Sequence, residues 1–147
     1  VALAMEQQIR TGLLADAGVS AIVGTQLYPD QIPQNPPSYP CGVIERISDR
    51  PYYTQQTPGG TQASVGWARI SISVWCDGAN ASLIRENLCR AIILAMQTFS
   101  CYDLPSSPLV VRQAPNILVG RRQWVEPQPR QPLFRAALDF MCCYQFQ

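Results

Sequence analysis

"ARISISVWCD", residues 68–77, runs directly into "GANASLIRENLCRAIILAMQTF", residues 78–99, and the pair decides the fold. In the first stretch Ile70, Ile72, Val74 and Cys76 alternate with Ser71, Ser73 and Trp75. Period two with one apolar and one mostly polar face predicts a half-buried strand in an antiparallel or mixed sheet. In the second stretch Ile84, Leu88, Ala91, Ile92, Ala95, Met96 and Phe99 recur at helical spacing, with Arg85, Glu86, Arg90 and Gln97 largely off the stripe. Asp77 stands where an N-cap is expected, and Asn80-Ala81-Ser82 reads as capping sequence rather than a glycosylation site. Ile93 and Leu94 widen the apolar surface beyond one stripe, which predicts a second contact, within the fold or with another subunit.

Upstream, "ALAMEQQIRTGLLADAG", residues 2–18, reads as a helix with Met5, Ile9 and Leu13 inward and Glu6, Gln7 and Arg10 outward, stopping at Gly18. A short helical turn follows, with Ser20 as cap and Gly24 as its end. "LYPDQIPQNPPSYP", residues 27–40, has five prolines. Leu27, Tyr28 and Ile32 give it apolar pegs that a free linker lacks, so it reads as an ordered strap inside one domain, 1–147; a PxxP-type bait also fits the pattern. "CGVIERIS", residues 41–48, is a strand, and "DRPYYTQQTPGGTQAS", residues 49–64, reads as its end, an exposed loop and a return. Downstream, residues 109–128 read as one or two strands interrupted at Pro115 and Gly120. In the closing strand Phe134, Ala136, Leu138, Phe140, Cys142 and Tyr144 alternate with Arg135, Ala137, Asp139, Met141 and Cys143. The predicted class is α+β: two main helices packed on a largely antiparallel four- to five-stranded sheet.

The 147 residues are 47% apolar and only 14% charged, against roughly 25% charged in an ordinary globular chain. That composition excludes a solvated disordered chain and points to a surface covered by partners. A net charge of +1 gives no electrostatic drive toward free nucleic acid or membrane. All eleven basic residues are Arg; there is no His and no Lys. The usual bases, Schiff-base amines and imidazole ligands are therefore missing, which argues against an enzyme. Arg suits planar, bidentate contacts at interfaces. The six cysteines form no C-x-x-C pair, and adjacent Cys142 and Cys143 face opposite sides of a strand, so buried thiols are expected and no metal or other cofactor. A secreted disulfide scaffold is the competing reading, and the opening "VALAMEQQIR" lacks the basic start and apolar run of an export signal. The longest apolar run, Ala91 to Met96, is too short to span a bilayer.

Two groups of residues stand out as partner-binding candidates. Arg50, Tyr52 and Tyr53, with Gly59 and Gly60, resemble interface anchors on an exposed loop. Arg121 and Arg122 beside Trp124 suit either an intersubunit contact or charge-and-stacking recognition of nucleic acid. Rival classes are a small enzyme using Asp, Glu or Cys and a monomeric nucleic-acid-binding module.

The ordered series of motifs resembles the tail completion, or tail terminator, proteins of long-tailed bacteriophages and their gene-transfer relatives. The likeness is carried by "EQQIRTGLLADAGVSAIVGTQLYPDQIPQ", "YPCGVIERIS", "ARISISVWCDGANASLIRENLCRAI" and "PLFRAALDFMCCY" together, in that order. It implies a small α+β subunit of a hexameric ring at the head-proximal end of a tail. Such a ring stops polymerisation of the tail tube and presents a docking surface to the head connector; a head-side connector or stopper subunit is the neighbouring possibility. The implied partners are further copies of the chain, the tail tube protein and the connector or stopper protein, with genome DNA passing through without sequence-specific binding and no membrane. The implied location is the virion neck, assembled in the host cytoplasm.

Overall fold

A computed structural model of the chain describes residues 5–33, 38–53, 64–98, 116–127 and 132–146. The elements run α1 (Met5–Ala15), α2 (Ala17–Val23), β1 (Leu27–Pro29), β2 (Cys41–Tyr53), β3 (Ser64–Cys76), α3 (Ala81–Met96), β4 (Ile117–Glu126) and β5 (Leu133–Phe146). The five strands form one sheet in the order β1-β2-β3-β5-β4. Every pairing is antiparallel except β1 with β2, so the α+β expectation holds.

Alternation sets the two faces. Ile44, Ile70, Ile72, Val74, Cys76, Ala136, Leu138, Phe140 and Cys142 are buried in the same apolar cluster as Met5, Ile9 and Leu13 of α1 and Leu88, Ile92, Ala95 and Met96 of α3. Burying each large aliphatic side chain contributes about 1.5–3 kcal/mol, which is why the strand and helix periods dominate local propensity here. The opposite face of the sheet carries Val43, Ser71, Ser73, Ala137 and Asp139. These too are buried, so the serine face of β3 is not solvent-facing as its polarity suggested; β3 is a central strand flanked by β2 and β5.

The caps differ from their sequence reading. α1 ends before Asp16, whose side chain accepts from the backbone N–H groups of Gly18 and Val19 and caps α2; Gly18 lies inside α2, and Ser20 is not its cap. Gly24 does end α2, with φ of 63°. At α3 the cap is Asn80 in the left-handed region, and its side chain makes no capping hydrogen bond; Asp77 lies before the turn that Ala81 N–H closes onto Gly78 O. Glu6, predicted outward, is buried, because Arg46 of β2 reaches α1 and donates Nε to Glu6 Oε1 at 3.0 Å.

The proline strap is pinned at both ends. Leu27 is buried, and β1 pairs with Gly42–Ile44 of β2. Arg10 of α1 donates Nε to Leu27 O at 2.6 Å and Nη2 to Thr25 O at 3.2 Å. With the Gln26 amide oriented to satisfy its neighbours, its nitrogen donates to Ser38 O and Pro40 O. Residues 34–37 between these anchors lie outside the described residues.

Gly42 of β2, paired with Leu27 of β1, has no room for a side chain. A Cβ there would stand 2.7 Å from Leu27 Cδ2 and 3.1 Å from Ser73 O. Leu27 is fully buried and has nowhere to swing. Gly42→Val is expected to destabilise the fold by about 1–3 kcal/mol, read as a lower urea midpoint at unchanged slope.

Cys41, Cys76 and Cys89 are free, buried thiols. Burial, reinforced for Cys41 by Asp77, pushes its thiol from 9.0 up to about 11. Burial, with Cys89 and Cys41 adding and Arg85 opposing, pushes Cys76 from 9.0 to about 12. The folded values lie above the unfolded ones, so their stabilising contribution is complete below pH 9 and is lost as pH rises through the folded values. The urea midpoint is expected to fall between pH 9 and 11, and to fall less steeply in Cys76→Ala; equal slopes would refute the assignment.

Candidate interaction surface

β4 closes one end of the sheet and, among the described residues, pairs with β5 alone. Its register with β5 shifts between Leu118 and Gly120, so Val119 is the extra residue of a bulge and Gly120 does not interrupt the strand. Ile117, Leu118, Val119 and Val125 are all exposed large apolar residues. An edge strand with apolar side chains open to solvent on both faces is an unusual use of such residues in a monomer.

The charged and aromatic candidates on β4 divide between the faces. Arg121 is opposite Leu138 on the helix side, where it pairs with Glu86 of α3 at 2.5 Å. The Arg121 hydrogen bond and charge hold the Glu86 carboxyl below its ordinary value. Trp124 and Arg122 are opposite Arg135 and Ala137 on the other face.

There a cation–aromatic ladder crosses three strands. The Arg122 guanidinium lies 5.8 Å from the Trp124 ring, and Arg135 is held between Trp124 at 4.7 Å and Trp75 of β3 at 4.6 Å. Glu126 ties the ladder, accepting from Arg135 Nη1 at 2.9 Å and from Trp124 Nε1 at 3.3 Å. From the helix side, Arg85 of α3 donates to the carbonyls of Trp124 and Arg135, which locks β4 to β5 beneath the ladder. Further along this face Arg69 pairs with Asp139 at 2.9 Å.

The first candidate group is not on a loop. Arg50, Tyr52 and Tyr53 are the last residues of β2, opposite Trp67, Val65 and Ser64 of β3. The sequence reading ended the strand too early because of Pro51. β1 covers β2 over Gly42–Ile44, so among the described residues Pro51 sits where β2 is itself an edge, a position that tolerates a missing N–H. Gly59 and Gly60 lie outside the described residues. The two candidate groups therefore occupy opposite ends of the sheet.

Arg135, Glu126 and Trp75 were not singled out from sequence. The signal was present: alternation puts Arg135 on the same face as Ala137 and Asp139, and an Arg beside Phe134 in an apolar strand needs a partner. The exposed β4 residues carried no signal, because an apolar run reads as buried whether or not anything covers it.

Among the described residues no group of Cys, Asp and Glu side chains is placed to hold a metal ion. No helix among them is long and apolar enough to cross a membrane. The surface is thus one of strand edges, exposed aliphatics and a braced cation–aromatic ladder. A family model, that of the tail completion protein gp17, matches residues 7–144. The chain belongs to that family. Membership in the tail completion family makes it a structural protein of the virion tail. No curated protein matches it. Among solved structures, a chain of the virion of a native gene transfer agent particle is similar over 94% of this chain and 92% of its own, with 20% identity and a TM-score of 0.53. At that identity the likeness is one of fold.

Arg135 is the keystone of the ladder of this tail completion protein. Arg135→Ala is expected to cost about 1–2 kcal/mol from its two cation–π contacts, with red-shifted tryptophan emission. Arg135→Lys should recover only part of this, since an ammonium cannot stack between two indoles as a planar guanidinium does. Full recovery by Lys would show that charge alone matters.

Proposed function

We propose that the chain ends the tail tube: six copies form a ring at the head-proximal end, stop tube polymerisation and present a docking surface to the head connector. The observation that carries this reading is the tail completion family match across residues 7–144. The chemistry of the chain supports it. Low charge, exposed aliphatics on an edge strand and a sheet covered by helices on one face suit a subunit whose surface is mostly interface. A ring needs heterologous contacts, in which one patch meets a different patch on the next copy. The candidate contacts are of that kind: Arg121, Arg122 and Trp124 stand at one end of the sheet, and Arg50, Tyr52 and Tyr53 at the other. The segment holding Gly59 and Gly60 links β2 to β3 and is the proposed reach toward tube or connector. A net charge of +1 suits a passage for DNA that neither grips nor repels it strongly.

Removal of the gene from a producing strain distinguishes the outcomes by electron microscopy. Termination predicts tails of uncontrolled length that fail to join heads. Tails of normal length left unattached would assign a stopper role instead, and normal infectious or gene-transferring particles would overturn the proposal.

A further inference from the structure

The sheet has two open backbone edges, and they differ in how they are protected. On the β1 side the edge is blocked where β1 lies. Gln26 O accepts from Gly42 N–H and Asp30 N–H donates to Ile44 O, so the alternate groups, at Leu27 and Pro29, face outward. Arg10 occupies Leu27 O, and Pro29 has no N–H to offer. Past Ile44 that protection stops. β2 continues to Tyr53, and among the described residues no strand pairs with its outer side. Pro51 removes one donor from this run, and Ile47, the extra residue of the bulge between Arg46 and Ser48, is exposed upon it.

At the other end, β4 has no proline and no lysine along Ile117–Glu126 to discourage pairing, and it presents Ile117, Leu118, Val119 and Val125 to solvent. Among the described residues, one edge is thus blocked at β1 and unpaired above it; the other is unpaired along its length and interrupted by the bulge at Val119.

We propose that these two edges are halves of one seam: β4 of one copy adds to the outer edge of β2, residues 45–53, of the next copy. This rests on the ring reading above and specifies its interface. Strand directions support it. β2, β3, β5 and β4 alternate in direction, so β4 runs antiparallel to β2. Copies related by rotation about an axis tilted from the strands by less than a right angle keep their up and down senses. The seam is then antiparallel, and the helix-covered face of every copy stays on the same side of the wall.

The registers also fix the offset. Through Leu138 and Ile72, Arg121 of β4 is level with Ile44 of β2. The open run of β2 is centred near Asp49, four ladder positions higher because Ile47 is a bulge (Ile44 faces Ile72 and Asp49 faces Ala68), or roughly 13 Å at ~3.3 Å per residue. Adjacent copies must therefore be sheared along the strands, and a closed ring accommodates such shear by tilting its strands, as barrels do. With this offset Gln123, exposed on β4, lies beside Ile47 of the neighbouring copy. The exposed aliphatics of β4 are then covered by a second copy, and both unpaired edges disappear.

The test uses the full chain carrying Ile47→Cys and Gln123→Cys, separately and together, assembled on tails and treated with a short bismaleimide. Circular dichroism checks that each variant folds, and the unsubstituted chain gives the background from its own cysteines. The seam predicts a ladder of covalent oligomers from the double variant and background levels from either single variant. A dimer from Gln123→Cys alone would mean that β4 pairs with β4, an isologous contact, and would overturn the seam. Rings seen by native mass spectrometry or microscopy without any cross-link would also overturn it while leaving the ring reading intact. Absence of oligomers by every method would reject both.

Discussion

The structure depends on the seal between one face of the sheet and the helices α1 and α3. Ile70, Ile72 and Val74 of β3 and Ala136, Leu138 and Phe140 of β5 meet Ile9 and Leu13 from one helix and Leu88, Ile92 and Met96 from the other. At about 1.5–3 kcal/mol for each large side chain, this layer dominates every local preference around it. It fixes register as well, because a slip of one residue would turn the whole apolar set of β3 away from the helices. Two ion pairs between helix and sheet, Arg46 with Glu6 and Arg121 with Glu86, sit at the margins of this seal. They orient its borders and add little to its strength.

What the seal leaves over is what the family's role can use. Helices cover one face, so the other must be stabilised from within the sheet, and the Trp75–Arg135–Trp124 ladder with Glu126 does this across β3, β5 and β4. That brace stiffens β4, whose outer edge no described strand pairs with. A rigid edge is worth more to a partner than a floppy one, because less conformational freedom is lost on pairing. The strap has the complementary effect at the far side: through Arg10, β1 and Gln26 it blocks part of the edge and leaves the remainder of β2 open.

Periodicity made the core legible. The alternation over residues 68–76 and 134–142 and the helical stripe from Ile84 to Met96 gave the face that meets the helices, though not the burial of Ser71, Ser73 and Asp139 on the other. The strap was read as ordered from Leu27, Tyr28 and Ile32, although its hydrogen bonds to α1 were invisible, since nothing in sequence says that Arg10 will reach a carbonyl at position 27. Boundaries failed where chemistry is ambiguous. Pro51 looked like the end of a strand because a proline says nothing about whether the missing N–H faces a neighbour or solvent. Asp77 and Asn80 both read as capping positions in sequence, and the tight turn from Gly78 to Ala81 selects Asn80. Both candidate groups are visible in sequence as Arg and aromatic clusters. Their placement at opposite ends of one sheet depends on the order β1-β2-β3-β5-β4, a long-range property that local pattern does not encode.

A reconstruction of the head-proximal end of the assembled tail is the most direct test of the central claim. The account predicts a closed ring of this chain in that position, with a sheet that runs unbroken from β4 of each copy into β2 of the next. A tail end without this chain, or a ring whose copies meet through their helices while both strand edges stay bare, would contradict it.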